Sequence, residues 1–104
     1  MPLNRADLVH AAASVATDGT SVVARNCTTA RTGAGVYTIT VPDIDATECL
    51  VIATVRGATN VALQVVQTSD TVKTVNSLAL AAGQAATDAA FDVLVLRIAS
   101  GTFN

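Results

Sequence analysis

The stretch Phe91 to Ile98 reads Phe-Asp-Val-Leu-Val-Leu-Arg-Ile, and after its first residues it is apolar on both faces of any strand it forms. Side chains alternate across a strand, so Phe91, Val93 and Val95 point one way while Leu94, Leu96 and Ile98 point the other. Each face needs a cover. A chain of 104 residues supplies one cover from a second sheet of its own and has little left for the other. The second cover is expected to be another copy of the same protein. One of the two triplets is then a subunit interface; Leu94, Leu96 and Ile98 are the candidates, and the sequence leaves open which layer is intramolecular.

The length is that of one domain. The chain holds 20 Ala, 15 Val and 15 Thr, so about half of its positions are small or β-branched. Val and Thr suit the pleated, half-buried surface of a sheet, and Ala on strands lets neighbouring backbones or subunits approach closely. Strands are expected at Ala11–Ala16, Ser21–Ala30, Val36–Val41, Cys49–Arg56, Val61–Gln67, Val72–Leu78 and Phe91–Ile98, with breaks at Asp18-Gly19, Gly33-Ala34-Gly35, Pro42 to Thr47, Gly57 to Asn60 and Ser69 to Thr71. Asp18-Gly19 suits a type I′ hairpin turn. Residues 79–90, rich in Ala, read as a loop. The result is an all-β antiparallel sandwich or jelly-roll-like domain of seven or eight strands over residues 11–104, behind an N-terminal arm of residues 1–10 with a brief helical turn near His10.

Several function classes lose ground on composition. Only Tyr37, Phe91 and Phe103 are aromatic, so neither sugars nor single-stranded bases have stacking platforms. The net charge is −2, and Arg5, Arg25, Arg31, Arg56, Lys73 and Arg97 are scattered instead of forming the basic stripe that phosphate binding needs. No apolar run reaches the ~18 residues of a membrane helix. His10 and Asp7 interrupt the mildly apolar run before Ser14-Val15-Ala16, so the chain is read as soluble and unprocessed. Cys27 and Cys49 are expected to be buried thiols in a reducing cell.

Reactive constellations are equally scarce. His10 with Ser14 and Asp7 makes a triad only on paper, since nothing holds the three in register. Asp43, Asp45 and Glu48 lack the twelve-residue spacing and central Gly of a calcium loop and read as a solvated turn. Gly33-Ala34-Gly35 opens a strand, where a dinucleotide fingerprint must open a helix. Arg97 either snorkels at the sheet edge or pairs with a carboxylate across a subunit contact. No catalytic residue, cofactor site or metal site is expected.

Two stretches, Arg31-Thr32-Gly33-Ala34-Gly35-Val36-Tyr37-Thr38-Ile39-Thr40-Val41 and Ala86-Thr87-Asp88-Ala89-Ala90-Phe91-Asp92-Val93-Leu94-Val95-Leu96, resemble, with Asp18-Gly19-Thr20 ahead of them, the small β-sandwich domains of bacteriophage head decorations and fibres. The resemblance spans Ala11 to Ala99, although Asp43 to Leu80 carries no matching motif, so strand order there is left open. It implies a jelly-roll-like homotrimer serving as a virion structural or adhesive part. The expected function is a capsid decoration or head-fibre protein on the outside of a phage shell, made in the host cytoplasm, with Pro2, Leu3, Asn4, Arg5, Leu8 and His10 contacting the capsid or a neighbouring subunit. The expected partners are itself and the major capsid protein or another virion protein, with no nucleic acid and no membrane. The alternative is the receptor-binding tip of a small tail fibre, which would require the loops at 57–60, 69–71 and 81–90 to cluster at one end. A cytosolic ligand-binding sandwich ranks below both, because the apolar strand faces lack polar groups to orient a ligand, and an enzyme ranks last.

Overall fold

The computed structural model describes residues 9–57, 60–80 and 83–98. Pro2, Leu3, Asn4, Arg5 and Leu8 of the expected arm lie outside the described residues. Eight strands form among the described residues: β1 (Val9–Val15), β2 (Ser21–Arg25), β3 (Thr28–Gly33), β4 (Val36–Thr40), β5 (Cys49–Val55), β6 (Val61–Gln67), β7 (Val72–Ala79) and β8 (Phe91–Arg97). All pair antiparallel in two sheets, sheet A in the order β2-β1-β8-β5 and sheet B in the order β3-β4-β7-β6. The fold is an all-β sandwich. The strand order left open between residues 43 and 80 is settled: β5 is an edge of sheet A, while β6 and β7 belong to sheet B.

Alternation along each strand decides what lies between the sheets. Ala11, Ala13 and Val15 of β1 and Phe91, Val93 and Val95 of β8 form one buried cluster with Tyr37 and Ile39 of β4 and Val75 of β7. The Tyr37 and Phe91 rings meet edge to face with centroids 5.1 Å apart, the arrangement that ring quadrupoles prefer. So Phe91, Val93 and Val95 are the intramolecular triplet. Lys73 is also fully buried on the inner face of sheet B, where Nζ donates to Gln67 Oε1 (2.8 Å), Asp70 O (2.8 Å) and Ser69 O (3.2 Å). Three acceptors offset much of the cost of taking an ammonium out of water, and they close the turn between β6 and β7.

Four expectations need correction. The run Ser21–Ala30 is two strands, because Asn26 takes a left-handed φ of 57° and turns the chain out of sheet A into sheet B. Asn tolerates that conformation better than other non-glycine residues, and Asn26 Nδ2 anchors the corner on His10 O at 3.0 Å. Asp18-Gly19 does not make a two-residue type I′ turn, since only Gly19, at φ 90°, is left-handed. Ala16 N bonds Thr20 O (2.8 Å) and Gly19 N bonds Ala16 O (2.9 Å), giving the three-residue loop that ends on a left-handed glycine. Val9 and His10 belong to β1, so the strand begins inside the expected arm and no helical turn ends at His10. Arg97 pairs within its own chain, Nη2 lying 3.6 Å from Glu48 Oε2, because antiparallel pairing of β5 with β8 brings the start of one to the end of the other.

The two stretches that carry the resemblance meet in space. Asp88 Oδ1 accepts from Arg31 Nε (2.9 Å) and from Gly35 N (2.7 Å). Tyr37 Oη donates to Thr17 O (2.8 Å) and accepts from Ala89 N (3.2 Å). Ser77 N donates to Gly35 O (2.7 Å), and Thr87 N donates to Ser77 O (3.0 Å). The segment leading into β8 is thereby fastened to the β3–β4 hairpin and to the β1–β2 loop. The Arg31 guanidinium, followed by the Gly35 amide, holds the Asp88 carboxyl below its ordinary value of 3.8, and burial pushes the Tyr37 phenol up.

Gly35 sits at φ 66°, and a Cβ there would lie 2.6 Å from Ser77 O and 2.7 Å from Thr87 N, whereas one at Gly33 meets nothing within 4 Å. Gly35→Ala should therefore cost more than about 1 kcal/mol, and Gly33→Ala well under that; urea denaturation midpoints compare the two. Because the folded pKa of Asp88 is depressed, its contribution is complete above the ordinary carboxylate range and fades as pH falls through the folded value. Wild type should accordingly lose stability on acidification through pH 4 and below more steeply than Asp88→Asn, as read from thermal midpoints across that range.

Candidate subunit interface

The outer faces of the two sheets differ in chemistry. Outside sheet B stand Thr38, Thr40, Thr74, Asn76 and Gln64, with Asn76 Nδ2 bonded to Gln64 Oε1 at 3.2 Å and the Thr68 and Thr74 hydroxyls 2.6 Å apart. Val66 is exposed on that sheet's described strands, and Val36, Val72 and Leu78 stand half-buried on the same face. The outer face of sheet A instead exposes Val23 (66%), Leu50 (44%), Ile52 (43%), Ile98 (41%) and Val9 (37%), and Leu94 and Leu96 stand among them half-buried. Pairing sets their rows: Ile52 lies beside Leu94, which lies beside Ala12, while Leu50 lies beside Leu96, which lies beside Val9. The candidates Leu94, Leu96 and Ile98 thus fall on one continuous apolar surface.

That surface has two parts. At one end the aliphatic residues Val9, Leu50, Leu96 and Ile98 cluster. Toward the other end lies a trough of about 740 Å³, bordered by Val23, Ile52 and Leu94, with the small side chains of Ala12 and Ser14 between the larger ones. Asp92 lines the trough, its Oδ1 accepting from Ser14 Oγ at 2.6 Å and lying 3.6 Å from Arg56 Nε. Arg25 lines its β2 side and has no ion pair among the described residues. All five residues of β2 are exposed, and Ser21 Oγ at its start lies 2.6 Å from Thr29 Oγ1 of β3, a contact that ties this edge strand to sheet B.

His10, Ser14, Asp45 and Glu48 are each engaged within the chain. His10 Nε2 lies 2.6 Å from Pro42 O, and Ser14 is bonded to Asp92, so the two do not form a nucleophile and base; Asp7 lies outside the described residues. Asp45 Oδ1 accepts from Thr47 N (3.0 Å) and Thr47 Oγ1 (2.9 Å), capping a single 3₁₀ turn at Ala46–Glu48, while Glu48 pairs with Arg97. No cluster of three metal-ligating side chains occurs among the described residues. Cys27 and Cys49 are free thiols, and burial pushes both up. On the apolar face Ser14 and Arg56 both engage Asp92, while Arg25 has no ion pair among the described residues.

Reasoning from sequence found the β8 residues of this surface and missed Val9, Val23, Leu50 and Ile52. A signal was present in β5: Cys49-Leu50-Val51-Ile52 is apolar on both faces, as β8 is. Val23 had none, because its exposure follows from β2 lying at the edge. In comparison with known proteins, the chain matches no family model, no curated protein and no solved structure.

The two faces of sheet A should respond differently to truncation. Val93→Ala, on the buried face, is expected to cost about 2 kcal/mol or more in a dilute sample, whereas Leu50→Ser should change stability by less than about 0.5 kcal/mol. Chemical denaturation at low protein concentration measures both, and a reversed order would refute the assignment of faces.

Proposed function

We propose that the protein is a virion structural protein of a tailed bacteriophage, a capsid decoration or head-fibre protein that binds the outside of the shell as a homotrimer. The observation that carries the self-associating half of this reading is the chemical asymmetry of the sandwich. One outer face mixes Thr, Asn and Gln with half-buried Val36, Val72 and Leu78 and exposed Val66, and the other exposes five large aliphatic side chains beside half-buried Leu94 and Leu96, the more apolar of the two. Covering a Leu or Ile fully contributes roughly 1.5 to 3 kcal/mol before the costs of association. Leu94, Leu96 and Ile98 are its central interface residues.

The virion setting rests on the resemblance of Arg31–Val41 and Ala86–Leu96 to decoration and fibre domains. The two stretches contact each other through Asp88 and Tyr37. Val9 pairs with Leu96, so the chain enters β1 beside the apolar end of the face. Pro2, Leu3, Asn4, Arg5, Leu8 and His10 are accordingly proposed to contact the capsid or a neighbouring subunit.

The reading as a fibre tip meets an obstacle in the loops. Leu80 N bonds Asn60 O (2.9 Å), bringing the segments after β5 and after β7 to one end, while Val41 N bonds Thr71 O (2.7 Å) and Ala46 N bonds Asp70 Oδ1 (3.0 Å) at the other. Among the described residues, Asn60 therefore lies at the end opposite to Asp70 and Thr71.

Light scattering coupled to size exclusion at micromolar concentration should return three times the chain mass for the wild type. Leu50→Asp should return the monomer mass with unchanged far-ultraviolet circular dichroism. Co-sedimentation with shells of the major capsid protein should be lost on deleting residues 2–8. A monomeric wild type, or binding that survives the deletion, overturns the corresponding half.

A further inference from the structure

An edge strand offers a row of backbone N–H and C=O groups that no ladder uses, and it stays single where something covers, charges or braces it. The four edges of this sandwich differ in that respect. β5 is braced by Gln67 Nε2, which donates to Cys49 O at 3.1 Å. β6 carries Gln64 and Gln67, and β3 carries Arg31, held to Asp88, along with Thr28, Thr29 and Thr32. β2 reads Ser-Val-Val-Ala-Arg, and Val22 (68%) and Val23 (66%) are the most exposed large hydrophobic residues among those described. Both sides of this strand are open. Val23 and Arg25 stand beside Ser14 and Ala12 on the outside of sheet A, while Ala24, beside the buried Ala13, faces sheet B and is exposed even so. Among the described residues the side chains of β2 make one hydrogen bond to sheet B, between Ser21 Oγ and Thr29 Oγ1 at 2.6 Å.

We infer that the free edge of β2 is a contact between copies of this protein: two β2 strands pair antiparallel about a two-fold axis at Val23, so that sheet A runs on from one copy into the next. Such a contact uses the same patch on both copies. The side chains set its register. With Val23 facing Val23 of the second copy, Val22 comes opposite Ala24, a large apolar group against a small one, and Arg25 comes opposite Ser21. The two Arg25 side chains then lie at opposite ends of the pair, each next to the loop of the other copy that carries Asp18, three residues before Ser21. A parallel pairing in register would set the two guanidinium groups side by side instead. Charge favours the antiparallel form further, since Arg25 has no ion pair among the described residues and the exposed Asp18 carboxylate bonds there only to Thr20. The strand is short, and its pairing with β1 shifts register at Val22, so the contact is small. It is weak in dilute solution and forms where copies are crowded together. It goes beyond the trimer reading and does not rest on it, because Leu94, Leu96 and Ile98 take no part.

A single cysteine tests the axis. Residues directly opposite in an antiparallel pair have Cα atoms about 4.5 to 5.5 Å apart, a span that a disulfide bridges. Val23→Cys, oxidised at hundreds of micromolar and run without reductant, should give a covalent dimer with a 23–23 linkage identified by mass spectrometry of peptides; wild type treated alike controls for Cys27 and Cys49. A mixture of Val22→Cys and Ala24→Cys should join through 22–24. Val23→Lys should weaken the association of the protein at the same concentration at least about tenfold, by sedimentation, with unchanged circular dichroism. Val23→Cys/Leu50→Asp, whose apolar face is spoiled, should cross-link as the single variant does. No 23–23 bridge in the single variant, or loss of the bridge in the double one, overturns the inference. Mass at micromolar concentration judges the trimer separately: a monomeric wild type whose Val23→Cys variant still bridges ends the trimer reading and leaves this contact standing.

Discussion

The carboxylate of Asp88 and the hydroxyl of Tyr37 hold the sandwich in its arrangement. Between them they bond to Arg31, Gly35, Thr17 and Ala89, which belong to the β3–β4 hairpin, the β1–β2 loop and the segment entering β8. β8 is a central strand of sheet A and must arrive there from β7, a central strand of sheet B. A chain crossing between layers leaves backbone groups without ladder partners, and each left unmade in a dry environment is costly. Gly35 and Ala89 donate their amides to these two side chains, and Thr87 and Ser77 satisfy theirs on neighbouring backbone. The Tyr37 ring then packs on Phe91, the first residue of the strand being delivered.

Delivery at that position decides the chemistry of the surface. With Phe91 turned inward against Tyr37, alternation commits Val93 and Val95 to the core and Leu94 and Leu96 to the outside. Pairing with β5 in the observed register then sets Leu50 and Ile52 beside them, and pairing with β1 adds Val9 and the small residue Ala12. A shift of one residue in the β5 pairing would turn Leu50 and Ile52 inward and set Cys49, Val51 and Ala53 in their place, replacing the largest side chains of the surface with smaller ones. The candidate interface is thus a consequence of register, and the polar network at the head of β8 enforces that register.

Much of the architecture was legible in the residues. Bounding turn residues located β4, β6 and β7 within a residue or so of their observed limits, and in β4 Val36-Tyr37-Thr38-Ile39-Thr40 also alternates cleanly. The division of Ser21–Gly33 was not legible, since a corner made by Asn26 depends on which sheet each half finds, and Asn-Cys carries no strong turn signal. Nor was the burial of Lys73, whose ammonium is tolerated only because three acceptors of the β6–β7 turn converge on it. The clamp was visible as two short motifs without its function: nothing in one dimension says that Asp88 reaches Arg31 and Gly35, more than fifty residues away.

By itself the sequence determined that this protein is a thin all-β domain with a closing strand apolar on both faces, because side-chain alternation is a property of the strand alone. Only the tertiary structure decided which of those faces is inside. That choice depends on strand order, on the ring contact of Phe91 with Tyr37 and on the neighbours that β1 and β5 bring to Leu94 and Leu96, and these are relations between segments distant in the chain. The same relations gathered five exposed aliphatic side chains on the exterior of sheet A and one, Val66, on that of sheet B, a contrast that no single strand contains.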